Sequence, residues 1–235
     1  VDESGTTDTF TVVLDAQPSD NVVIAMSSSD IGEATISGTI SFTPANWDTP
    51  QTVTVTGVDE NTIDGDQTST ITITIVDSIS DSDFSNVADQ TVSVVTTDDD
   101  VAGFTIVELD GATEVDESGT TDTFTVVLDA QPTSDVVLTI TSDDTGEATV
   151  NSPLTFTPVN WDTPQTVTVT GIDEDIVDGT ITSTITIAVD DANSDDDFDV
   201  VVDQTVSVDT LDDDAAGFTI VELDGATEVT EAGST

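Results

Sequence analysis

The sequence predicts an all-β protein made of tandem immunoglobulin-like antiparallel β-sandwich domains, and three observations lead there. Apolar residues alternate with period 2 rather than 3.6. Long stretches return letter for letter about one sandwich domain later. Clusters of Gly, Asp, Asn and Pro punctuate the alternating runs.

The alternation is plainest in three segments. Phe124, Val126 and Leu128 interleave with Thr123, Thr125 and Val127. Val167 and Val169 interleave with Thr166, Thr168 and Thr170, and Ile185 and Ile187 with Thr184 and Thr186. Such runs read as half-buried strands with Thr outward, because β-branched residues suit a pleated surface. Each repeat then holds about seven to nine short strands and no helix, as in an immunoglobulin-like sandwich. Trp47 and Trp161, each in NWDTP before a strand, read as packing anchors.

The repeat is exact over long stretches. VDESGTTDTFTVVLDAQP occupies Val1–Pro18 and again Val115–Pro132, a displacement of 114 positions. NWDTPQTVTVTG at Asn46–Gly57 returns at Asn160–Gly171, and GFTIVELDGATEV at Gly103–Val115 returns at Gly217–Val229. The expected organisation is a repeat over 1–100 that lacks its first strand, a complete repeat over 101–214, and the first strand of a following repeat over 215–235. Both ends fall in mid-repeat, so the chain reads as a segment of a longer array. Alternatively, the last strand docks into a neighbouring copy by strand addition.

Charge sets the chemistry. The 235 residues include 50 Asp and Glu and no Lys, Arg or His, for a formal net charge of -50. No side chain is cationic, so no carboxylate can pair with another side chain, and like charges at this density oppose compaction. Yet 35% of the residues are hydrophobic, more than a disordered acidic tail carries. Positive charge must come from outside, and carboxylate oxygens are the ligands hard divalent cations prefer. The competing account is halophilic adaptation, with the acids holding water and monovalent ions. The same composition argues against nucleic acid and anionic membranes as partners, since phosphate binding needs Lys or Arg. No apolar run approaches the ~20 residues of a membrane helix. Without His, Lys, Cys or Tyr the usual bases and covalent nucleophiles are missing, so no enzymatic activity is expected.

The acids gather in turns and at strand ends. In the complete repeat these are Glu117, Asp143-Asp144 with Glu147, Asp173-Glu174-Asp175 with Asp178, Asp195 to Asp197, and Asp212 to Asp214. The first repeat has Glu3, Asp30 with Glu33, Asp59-Glu60 with Asp64, and Asp98 to Asp100. If the sandwich brings such loops to one end, their oxygens converge into a cage. Ca²⁺, with six to eight oxygens in flexible geometry, is its natural occupant. Zinc is disfavoured without His or Cys. DENTIDGDQTSTI at Asp59–Ile71 does not fit the EF-hand spacing. Asp190-Asp191 and Asp195 to Asp197 read as a solvated loop. Asp98 to Asp100 run directly into the second repeat, where an ion would also fix the junction, with Glu108 and Asp110 as further contributors.

Four motifs in order, V-D-E-S-G, F-T-P…T-V-T-V, V-D-E-N-x-x-D-G and T-x-D-D-D, resemble the Calx-beta domain. That is the calcium-binding sandwich of sodium–calcium exchangers and of many large bacterial surface proteins. The resemblance spans essentially both repeats. It implies a calcium site at Glu117, Asp144 or Glu147, Asp173, Glu174, Asp178, Asp212, Asp213 and Asp214. The first-repeat equivalents are Glu3, Asp30 or Glu33, Asp59, Glu60, Asp64, Asp98, Asp99 and Asp100, and Glu231 is the matching acid of the next repeat. Gly65 and Gly179 stand where the family has acids, which implies a thinner acidic loop.

Three functions follow as expectations. The first is a calcium-rigidified repeat segment of an extracellular or cell-surface adhesin stalk or fibre, whose partners are calcium ions and neighbouring repeats. The second is the subunit of a self-assembling extracellular filament, joined to other copies by the strand at 215–235. The third is an ice- or glycan-binding module using outward Thr rows such as Thr52, Thr54 and Thr56.

Overall fold

The computed structural model describes residues 1–109, 111–222 and 225. Among the described residues, sixteen strands form four sheets. The first repeat contains β1 (Thr7–Val12), β2 (Val22–Ser28), β3 (Ala34–Ile36), β4 (Thr39–Phe42), β5 (Gln51–Gly57), β6 (Gln67–Ile75) and β7 (Gln90–Thr96). They form one sheet in the order β1-β5-β3 and another in the order β4-β2-β6-β7. The second repeat contains β8 (Phe104–Glu108), β9 (Thr113–Asp116), β10 (Thr121–Leu128), β11 (Val136–Ser142), β12 (Ala148–Val150), β13 (Leu154–Phe156), β14 (Gln165–Gly171), β15 (Ile181–Val189) and β16 (Gln204–Leu211). Its sheets run β12-β14-β10-β8 and β13-β11-β15-β16-β9. Pairing is antiparallel except between β9 and β16.

Period-2 patterning explains this arrangement. In β14 the inward Val167 and Val169 are fully buried, and in β15 Ile185 and Ile187 are. They meet Phe124, Leu138 and Phe156 in one continuous core. Burying such a side chain contributes about 1.5–3 kcal/mol. The outward Thr residues pair across strands: Thr7, Thr9 and Thr11 of β1 face Thr56, Thr54 and Thr52 of β5. Such cross-strand pairs are the ordinary unit of sheet stability. Trp47 and Trp161 pack against their respective cores, as their position before a strand suggests.

The second repeat has two strands that the first lacks. β8 adds to the edge of β10, and β9 adds to β16. In the first repeat Val1 and Asp2, the counterparts of Val115 and Asp116, meet Thr97: the Thr97 amide donates to the Val1 carbonyl and Asp2 bridges Thr97 in parallel.

Two local expectations are corrected. Among the described residues, three single-turn 3-10 helices occur, at Asp77–Ile79, Ser82–Phe84 and Asp196–Phe198, where none was expected. Asp195 is not solvated. It is buried and accepts hydrogen bonds from the Thr133 hydroxyl and from the Ser134 and Asp197 amides. Asp81, its equivalent, accepts from the Asp83 amide, the Ser19 hydroxyl and the Asp20 and Ser19 amides, which hold its carboxyl down at about 2. These two acids cap turns and are saturated by protein donors.

Candidate metal centre

At one end of each sandwich the chain builds a pocket of carboxylates, and short-range sequence features explain how. In the opening turn the Asp2 carboxylate accepts from the Ser4 amide and hydroxyl. The Asp2 amide donates to the Thr6 hydroxyl, and Gly5 takes φ +85. The Glu3 amide donates to Thr97. This turn lies so close to the end of β5 that a Cβ on Gly57 would sit 2.1 Å from the Asp2 carbonyl oxygen. Only glycine fits there. The turn therefore faces the loop after β5, and Glu3 is aimed inward. Asp116, Ser118, Thr120 and Gly171 repeat the arrangement around Glu117.

The closing aspartates are held in the same fashion. The Gly65 amide donates to Asp98 at 2.8 Å, and the Gly179 amide to Asp212 at 2.7 Å. Both glycines have positive φ, +73 and +81. The residues that thin the acidic loop thus provide the left-handed turn that aims an N–H at the closing aspartate. The Gly179, Asp214 and Asp178 amides keep the Asp212 carboxyl below its ordinary range.

In the first repeat, oxygens of Glu3, Asp98 and Asp100 lie within 4.8 Å of one another, and so do those of Glu3, Glu33 and Glu60. In the second, the groups are Glu117, Asp212 and Asp214, and Glu117, Glu174 and Asp178. Glu3 and Glu117 each belong to two groups, so each repeat has adjoining positions that share a central glutamate.

Burial makes this arrangement unusual. Glu3 and Glu117 are 0% exposed. Both oxygens of each are buried without a hydrogen-bond partner among the described residues. One buried oxygen each of Glu33, Glu60's counterpart Glu174, Asp100, Glu147 and Asp214 is in the same condition. Burial, reinforced by Asp98, Glu33, Glu60 and Asp64, pushes the Glu3 carboxyl up to about 7. Burial first and neighbouring acids second also raise Glu33, Glu60, Asp100, Glu117, Glu147, Glu174 and Asp214. A buried unpaired carboxylate costs several kcal/mol or takes up a proton. A cation removes that cost. Calcium–oxygen bonds of about 2.3–2.6 Å place ligands at most about 4.6–5.2 Å apart, so oxygens that all lie within 4.8 Å of one another can share one ion. The all-oxygen donor set suits a hard cation.

Other residues of the anticipated set take different places. Asp30 and Asp144 use a carboxylate oxygen to accept from the Gly32 and Gly146 amides, so the inward acid of that turn is Glu33 or Glu147. Asp64 faces Glu3, Glu33 and Glu60 electrostatically. Asp59 faces Asp100, and Asp173 with Asp175 faces Asp214. Asp99 and Asp213 are exposed and flank the clusters. Glu108, at the end of β8, accepts from the amide and hydroxyl of Thr113, at the start of β9. Asp110 and Glu231 lie outside the described residues.

No protein-family profile and no curated protein matches the chain. Among solved structures it is similar to domains 4 and 5 of the S-layer protein SbsC, at 20% identity and TM-score 0.38, covering 80% of this chain and 70% of that one. It spans 20% of the longer SbsC(31-844) structure, at 18% identity and TM-score 0.38 over 80% of its own length. It is also similar to the calcium binding domain CBD12 of CALX1.1, at 17% identity and TM-score 0.34, covering 77% and 73% of the two chains. Similarity of this degree assigns no function.

Proposed function

We propose that this chain is a calcium-binding structural segment of an extracellular adhesin stalk or fibre, in which the ions stiffen each sandwich and its junction with the next. The observation that carries the reading is the pair Glu3 and Glu117, each fully buried, without hydrogen-bond partners, and central to a group of acids. Glu3, Glu33, Glu60, Asp64, Asp98 and Asp100 would hold the ions of the first repeat. Glu117, Glu147, Glu174, Asp178, Asp212 and Asp214 would hold those of the second. The ions supply the positive charge that the chain lacks.

The junction supports the mechanical part of the reading. Asn61, Thr62 and Ile63, between Glu60 and Asp64, meet Gln131 of the second repeat. The Gln131 amide donates to the Asn61 carbonyl at 2.6 Å, and the Thr62 hydroxyl donates to the Gln131 side chain at 3.2 Å. Ile63 packs against the core of the second repeat. An ion holding Glu60 and Asp64 therefore also fixes the segment that touches the neighbour. Small-angle scattering tests this coupling. A stiff rod in calcium should become a more flexible chain in chelator at equal ionic strength, and an unchanged profile would refute the junction role.

A further inference from the structure

The strands that lead to the closing aspartates, β7 and β16, each hold a buried threonine two residues before the first of them. Thr96 and Thr210 are both 0% exposed. A buried hydroxyl without a partner is costly. Thr96 has a partner, since its hydroxyl donates to the Glu33 carbonyl at 3.3 Å. That carbonyl also accepts from the Val58 amide, just after β5, at 2.9 Å. Glu33 leads into β3, which belongs to the other sheet. One hydroxyl thus crosses the sandwich and ties the turn bearing Glu33 to the strand that leads to Asp98.

The second repeat differs here. The Ile172 amide still donates to the Glu147 carbonyl, at 2.8 Å. The Thr210 hydroxyl, however, is buried without a partner among the described residues. The carboxylate groups differ in step with this. Glu33 shares a group with Glu3 and Glu60. Glu147 belongs to none among the described residues, and Asp178 stands with Glu117 and Glu174 instead. Glu147 is nevertheless buried, with one oxygen unpartnered. The glutamate joins the group where the threonine is bonded and stays out where it is not.

We propose that the Thr96 and Thr210 hydroxyls are positioning groups that latch Glu33 and Glu147 into the ion sites, the first latch already closed and the second closing as the ion is bound. The inference rests on the calcium reading above. In the first repeat the latch holds Glu33 among like charges before any ion is present, so the site is preorganised and less ordering is left to binding. In the second repeat the bond forms only together with ion binding. The Thr210 hydroxyl then gains its acceptor, and Glu147 is drawn toward Glu117. The second repeat therefore rearranges on binding, whereas the first does not.

Threonine-to-valine changes remove the hydroxyl and nearly keep the shape. Calcium titrations of the whole chain at constant ionic strength, followed by amide NMR, read the two repeats separately. Thr96→Val and Thr210→Val should each weaken calcium binding in their own repeat about three- to tenfold, the effect of one hydrogen bond. Thr96→Ser and Thr210→Ser keep the hydroxyl and should stay within about twofold of the wild type. In chelator the two valine variants should part in sign. Thr96→Val loses a bond and melts lower, whereas Thr210→Val loses an unpartnered buried hydroxyl and melts higher. With Glu33→Gln or Glu147→Gln already in place, the matching valine change should weaken calcium no further. Valine variants that bind calcium like the wild type would overturn the proposal. So would valine variants that weaken binding equally with Glu33 and Glu147 replaced, or that both melt lower in chelator. A wild type that binds no calcium would overturn the calcium reading itself, and the latch with it.

Discussion

The two repeats share most of their sequence, yet their interiors differ more than their acidic ends do. The second repeat has one continuous core running from Phe104 to Val208. The first is divided into one cluster around Leu14, Val22, Ile24 and Phe42 and another around Ala34, Val55 and Ile71. Phe10 is partly exposed, whereas its counterpart Phe124 is fully buried. The cause is the absence from the first repeat of a strand equivalent to β8, which leaves β1 at an edge. The carboxylate groups nevertheless form around Glu3 and Glu117 in both, one of them matching (Glu3, Asp98, Asp100 and Glu117, Asp212, Asp214) and the other using Glu33 and Glu60 in the first repeat but Glu174 and Asp178 in the second; they depend on the turn at Glu3 or Glu117, the loop after β5 or β14, and the closing aspartates. None of these needs β8. The carboxylate groups thus form whether or not the core is continuous.

The largest effect that can sharpen this contrast is calcium removal. At free calcium about 100 times the dissociation constant, each site adds about 2.7 kcal/mol. Two adjoining sites per repeat then contribute about 5 kcal/mol, comparable with the whole stability of a marginal domain. Hydrogen exchange in chelator should show the first repeat opening before the second, and simultaneous loss of both would break the comparison. Next is core truncation. Phe156→Ala should cost about 3–5 kcal/mol in the continuous core. Phe42→Ala, in a smaller cluster, should cost less, as read from denaturant midpoints at equal calcium.

Replacing the central glutamate should reverse sign with conditions. Glu117→Gln removes a buried charge, so it should raise the melting temperature in chelator and lower it in calcium, with calcium affinity reduced at least tenfold. A variant that is destabilised under both conditions would make Glu117 a packing residue.

The smallest effect is pH dependence. The Glu3 carboxyl titrates at about 7 when folded, against an ordinary value of 4.5. Between these values the folded state holds the extra proton, so without metal stability rises as pH falls from about 7 to 4.5. Protons compete with calcium for the same oxygens, so calcium affinity should fall over that range. Melting curves at pH 7.5 and 5, with and without calcium, check both signs.

Much of this organisation was legible from local patterns. Alternating Val, Ile and Thr marked the strands, and exact recurrence placed β10 from β1 and β14 from β5. The gathering of acids into turns pointed to one end of each sandwich. What was not legible depended on side-chain direction. Asp30 and Glu33 stand three residues apart in one turn, and only the folded backbone shows that Asp30 caps Gly32 while Glu33 points inward. Asp195 sits in an acidic run that looks solvated, yet backbone and hydroxyl donors from distant residues bury it. That the first repeat lacks its opening strand was legible in the repeat frame, but not which side chains this uncovers, such as Phe10 and Phe84.

The central claim is that buried carboxylate groups around Glu3 and Glu117 bind calcium specifically. Equilibrium calcium binding at constant ionic strength, on the intact chain and on the E3Q/E117Q double variant, tests it most directly. The account predicts saturable binding to both repeats, unaffected by equivalent sodium and largely lost in the double variant. Binding that is unsaturable, displaced by sodium or unchanged by the substitutions would contradict it, leaving the acids as a diffuse counterion surface.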